Sequence, residues 1–107
     1  MNDEKMRLSK EKAFYFFTSI GNYTGESAAS MADFLEKIMH IDIKSIEFHF
    51  HRGDFEKWLA ETIGDKKLAE QIEKLHDQKL TGEKLRDQLH NVISKRYEKL
   101  YKFSGRS

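Results

Sequence analysis

Cysteine and proline are both absent from the 107 residues. Without cysteine there is no disulfide framework, no thiolate nucleophile and no cysteine-ligated zinc. The absence also agrees with a reducing compartment. Without proline, segment boundaries must be read from glycines and from capping residues. No run of about 18 apolar residues occurs, so no membrane span is expected. The stretch from Met1 to Lys12 alternates acids and bases and has no apolar signal core. Export is therefore not expected, and a cytoplasmic location is. No Gly/Ser-rich linker, internal repeat or low-complexity tract divides the chain. Charged residues make up 35% of it, yet the net charge is only +1, a balance that suits solvated helix faces. The length fits one domain with its own core. The expected organisation is a charged arm over 1–12, a single helical domain over 13–103 and a tail over 104–107.

The punctuation that remains is regular. Gly53-Asp54 and Gly64-Asp65 each pair a glycine suited to ending one helix with an aspartate suited to starting the next. Thr81-Gly82-Glu83 and Thr24-Gly25-Glu26 read as further N-caps with an acid in the first turn. Apolar spacing between these marks is helical. Ala28, Met31, Leu35 and Ile38 form one stripe, widened by Phe34. Phe55, Trp58, Leu59 and Ile63 form a second, and Leu68, Ile72 and Leu75 a third. Leu85, Leu89, Val92, Arg96, Leu100 and Phe103 form a long fourth, in which the Arg96 stem covers core while its head escapes to water.

Two segments carry a strand signal as well. Phe14-Tyr15-Phe16-Phe17 is aromatic on all sides, and Ile46 to His51 alternates apolar and polar residues. The two could pair as a ribbon. Against this, Asp42 can cap a helix in which Ile43, Ile46 and Phe50 share a face, so a helix is expected over Ile43 to Arg52. The fold expected is all-α, a compact bundle of four to five helices, with a short extended aromatic segment near the N-terminus as the open alternative.

Chemistry concentrates between Phe48 and Leu59, which hold the only Trp and two of the five His. His49 and Arg52, three apart, share a helical face, and Asp54 can turn back across Gly53 to meet either. Alternatively, Asp54 caps its own helix and Arg52 neutralises a carboxylate or the preceding helix's C-terminus. With Trp58 nearby, His49, Arg52 and Asp54 are candidate walls of a ligand pocket. His49, His51 and Asp54 would make a metal or enzymatic site only on a strand, because residues two apart on a helix point about 200° apart. No nucleophile, base and orienting partner can be named together, so no catalytic residue, metal or cofactor is expected. Gly21 to Ser27 has no lysine after its second glycine, so it reads as a turn and cap, not a phosphate loop. Lys95, Lys99 and Lys102 share a face of the last helix, beside Tyr97 and Tyr101, and could contact nucleic-acid phosphates. Bases near a helix C-terminus also favour its dipole. The many aromatics are expected mainly in the core, with a share available to cover a partner chain, a homodimer included.

The run from Phe14 to Trp58 resembles a prokaryotic domain family of unknown function, prominent in archaea. The residues that carry the likeness are Phe14-Tyr15-Phe16, Gly21, Tyr23-Thr24-Gly25, Ala28, Met31 and Phe34. They continue through Ser45-Ile46, Phe48, His49, Arg52, Asp54-Phe55 and Trp58, then Gly64-Asp65 and Leu68-Ala69. The likeness runs to Leu75 and more weakly through the last helix. It implies a compact, mainly helical domain and no activity. Relatives often carry a longer insert between the His/Arg helix and the Asp-Phe helix, where this chain has only Gly53. The function expected is a non-catalytic module that binds a protein or small ligand through His49 to Trp58. The alternatives are a nucleic-acid-associated protein using the basic C-terminal helix, and a metal or enzymatic site at His49, His51 and Asp54.

Overall fold

The computed structural model describes residues 7–102, with the Lys102 side chain left out. Phe103, Arg106, the 104–107 tail and the first six residues of the arm lie outside the described residues.

The chain is not all-α. It opens with an antiparallel hairpin, β1 over Phe14–Ser19 and β2 over Asn22–Ala28. The aromatic run does form a strand, but its partner is the segment expected to hold a turn and a helix cap. Phe14 pairs with Ala28, Tyr15 with Ser27, Phe17 with Tyr23 and Ser19 with Asn22. Between Tyr15 and Phe17 the partner strand moves from Ser27 to Tyr23, so β2 bulges over Thr24-Gly25-Glu26. Thr24 caps nothing. Its hydroxyl donates to the Phe16 carbonyl at 2.7 Å and accepts from the Glu26 amide at 3.1 Å, which holds the bulge. Gly21 closes the turn at φ +82°, a conformation that side chains rarely tolerate.

Five helices follow among the described residues. Helix α1, Met31–His40, starts six residues later than an N-cap at Thr24 implied, and its cap is Ser30. Ser30 accepts from the Asp33 amide at 3.0 Å, and the Asp33 carboxylate accepts from the Ala29 amide at 3.1 Å. The first bond satisfies a free amide of the first turn, and the second ties down the residue before the cap. Helix α2, Ile43–Arg52, is capped by Asp42 as expected, its carboxylate 2.9 Å from the Lys44 amide. Gly53, left-handed at φ +76°, ends α2, and α3 (Asp54–Trp58) begins at the next residue. A wide turn over Leu59–Ile63 leads to Gly64 and to α4, Lys66–Lys74, capped by Asp65. A 3₁₀ turn, Leu75–Gln78, precedes α5, Gly82–Tyr97, and a wide turn over Glu98–Lys102. Thr81 gives α5 no side-chain cap. Glu47 of α2 takes that role from a distance, accepting from the Gly82 amide at 2.7 Å.

All elements share one apolar cluster. Phe14 and Phe16 point inward from β1 while Tyr15 points out. The Phe14 ring lies 5.6 Å from Phe34, 5.3 Å from Phe55 and 5.6 Å from Trp58. Each such ring, fully buried, contributes on the order of 2–3 kcal/mol. On α5 the buried residues are Leu85, Leu89 and Ile93, so Ile93, not Val92, continues the stripe. The Arg96 head does not escape to water. Its Nε donates to Asp65 at 2.8 Å and a terminal nitrogen at 3.1 Å, tying the end of α5 to the start of α4.

Candidate functional site

The sharp junction at Gly53 builds the site. With one residue between α2 and α3, the Asp54 side chain folds back over the last turn of α2. It makes no cap for α3. Asp54 Oδ2 instead accepts from His49 Nδ1 at 2.8 Å and from Arg52 Nε at 3.0 Å. The sequence allowed that meeting as one of two readings; the other, Asp54 as the cap of its own helix, does not hold.

The other face of the His49 ring has a partner that no local pattern reveals. The Phe17 amide of β1 donates to His49 Nε2 at 2.8 Å. A backbone N–H is only a donor, so Nε2 carries its lone pair there and the proton sits on Nδ1, aimed at Asp54. The ring is 4% exposed. Burial is the largest influence on it and lowers its pKa from 6.5; the Asp54 carboxylate pulls the other way without prevailing, and the Arg52 cation adds to the lowering. His49 is thus a neutral bridge between hairpin and helices, with both nitrogens committed.

Above it lies an open groove of about 390 Å³ between β1 with its turn and the end of α2. The hairpin side presents Tyr15, Phe17 and Ile20, and the helix side Phe48, Arg52 and Asp54, with His49 and Phe14 beneath. Arg52 is 51% exposed and lies over the Phe48 ring at 5.1 Å. Its terminal nitrogens make no hydrogen bond among the described residues, and neither does Asp54 Oδ1. Ile20, at the turn tip, is 83% exposed. Sequence reasoning passed over Ile20, although a β-branched apolar residue beside a turn glycine was the available signal.

Trp58 does not join the groove. It is buried, 5.0 Å from Phe34, and its indole N–H donates to the Lys12 carbonyl at 2.8 Å. With the Leu8 amide bonded to the Ala29 carbonyl at 2.7 Å, this fastens the described part of the charged arm to the domain. His51 is exposed on α2, turned away from His49. Among the described residues no group of three His, Asp or Glu is placed to hold a metal ion. Lys95 is exposed on α5 and Lys99 on the wide turn after it, and Arg96 between them is committed to Asp65. A second cluster was not anticipated. His76 stacks on Phe50 at 4.0 Å and meets Glu56 Oε2 at 2.9 Å, while Glu56 Oε1 is buried with no hydrogen-bond partner among the described residues. No described helix is long and apolar enough to cross a membrane.

Fold and site together define a small α+β domain in which a histidine pins an N-terminal hairpin to a helical body. Residues 9–104 match the model of the family of unknown function DUF5752, and the chain belongs to that family. The match takes in the last helix, where the resemblance read from the sequence was weakest. No curated protein and no solved structure matches the chain.

Proposed function

We propose that the domain is a non-catalytic binding module whose groove receives an apolar group of a protein or small ligand. One observation carries this. The polar groups at the groove floor are spent on structure, while its rim offers aromatic surface and two half-used charges. His49 has no nitrogen left for proton transfer or metal ligation. Among the described residues, Arg52 and Asp54 each engage one atom and leave another unbonded. Such a surface suits recognition: apolar contact supplies affinity, and a few convergent polar atoms fix orientation.

The test is an amide-shift titration of dilute, ¹⁵N-labelled protein with apolar acids and amides. The amides of Phe17, Ile20, Gly21 and Arg52 are expected to move together. Phe48→Ala should abolish the response, and Arg52→Ala should weaken binding about tenfold, the equivalent of about 1.4 kcal/mol. If no compound moves these amides, or if Phe48→Ala leaves binding intact, the proposal fails.

A further inference from the structure

We infer that the natural occupant of the groove is the hairpin tip of a second copy of this chain, in a twofold-symmetric dimer. The inference rests on the binding role proposed above and names its partner.

Ile20 starts the argument. Two-residue turns favour Asn, Asp and Gly, which hydrogen-bond locally or accept unusual dihedrals. A β-branched side chain at a tip gains nothing there, and at 83% exposure Ile20 contributes nothing to this core. It is the most exposed large apolar residue described, and Tyr15 and Tyr23 extend the apolar surface from it, their rings 5.8 Å apart. An apolar projection of this kind, unneeded by the fold, marks a contact surface.

Self-complementarity identifies the partner. A twofold contact uses the same patch on both copies, so the patch must hold both halves of every interaction. This one does. A projecting Ile20 sits at the edge of an apolar groove that another Ile20 could enter. A cation and an anion stand side by side, and each has one free face. Arg52 uses Nε internally and keeps its terminal nitrogens, while Asp54 uses Oδ2 and keeps Oδ1. Across a twofold axis, Arg52 of one copy meets Asp54 of the other, twice. A partner carrying only one sign of charge would leave half of this pair unmatched.

Sedimentation equilibrium over a wide concentration range tests this on the full chain. The wild type should show a reversible monomer–dimer equilibrium. Ile20→Glu, at a site without a packing role, should be monomeric throughout with an unchanged circular dichroism spectrum. Arg52→Ala should raise the dissociation constant about tenfold. Met39→Glu, at another exposed apolar residue but on α1, should dimerise like the wild type. A wild type that is monomeric at every concentration, or a dimer that survives Ile20→Glu, overturns the inference. A monomer whose groove amides still respond to apolar acids overturns the second copy alone; a monomer whose groove amides respond to nothing removes the binding role as well.

Discussion

At the scale of single residues, His49 is the side chain on which most depends. It lies between a backbone donor 32 positions upstream and a carboxylate five positions downstream, and it must be neutral to serve both. Protonation would place an N–H at Nε2 facing the Phe17 N–H and break that bond. The charged groups facing the ring are Asp54 and Arg52; burial, helped by the Arg52 cation, outweighs the Asp54 carboxylate. The sign of the pH effect follows. The folded ring has a lower pKa than the unfolded value of 6.5, so the unfolded chain binds more protons in the interval between them. The stabilisation is complete above 6.5 and is lost as the pH falls through that interval. Urea unfolding between about pH 7 and about pH 5 should show declining stability, ahead of the range in which carboxylates protonate. His49→Gln can accept from Phe17 and donate to Asp54 without titrating, and should flatten this decline. His49→Ala leaves the part-buried Phe17 amide without its acceptor and a cavity beneath the groove, and should cost about 3 kcal/mol at neutral pH.

At the scale of elements, the ends of helices repay close reading. Asp42, Asp65 and the glycines at 53 and 64 act where the sequence places them, because caps are local and a cap needs only a neighbour in the chain. Thr24 and Thr81 failed for the same physical reason in reverse. Thr24 stands in a strand whose bulge uses its hydroxyl, and the Thr81 role passed to Glu47, a residue on another helix. Asp65 joins local and distant roles: it accepts from the Leu68 amide and holds the Arg96 guanidinium. Burial alone would raise its carboxyl pKa; the Arg96 bonds and the Leu68 amide together outweigh that and hold it below the ordinary 3.8. Both side chains are largely shielded, so removing one member leaves the other's charge under-compensated. Arg96→Met should lower stability by about 2–3 kcal/mol in denaturant unfolding, more than an exposed ion pair is worth. Asp65→Asn keeps a cap but loses the charge, and should fall between Arg96→Met and the wild type. If Arg96→Met changed stability by less than about 0.5 kcal/mol, the pair would be a surface contact and not a clamp.

At the scale of the whole molecule, the helical body was legible because its buried residues recur every three or four positions, from Phe34 and Ile38 on α1 to Leu85 and Leu89 on α5. The hairpin was only half legible. Strand β1 declares itself by its aromatics, but β2 buries Ala28 alone, so it shows no two-residue periodicity to read. Its place is set by the pairing with β1 and by the histidine that holds β1 to α2, neither of which is local in sequence. The pairing of His49 and Arg52 with Asp54 was legible from spacing, and the Phe17 contact was not. This arrangement also decides how the molecule comes apart. A two-stranded hairpin is marginal by itself, yet Phe14 and Phe16 belong to the same cluster as the helices, and Trp58 ties that cluster to the arm through Lys12. The hairpin therefore has no separate core on which to persist, and the helices lose two of their largest rings if it leaves. Unfolding should be a single cooperative step. Trp58 fluorescence reports hairpin docking through Phe14, 5.6 Å away, while far-ultraviolet circular dichroism reports the helices. The two urea curves should superimpose, and the Phe17 amide should exchange with solvent only through global opening. A fluorescence transition that precedes the loss of helix would instead make the hairpin a detachable element, held by His49 and the indole contact alone.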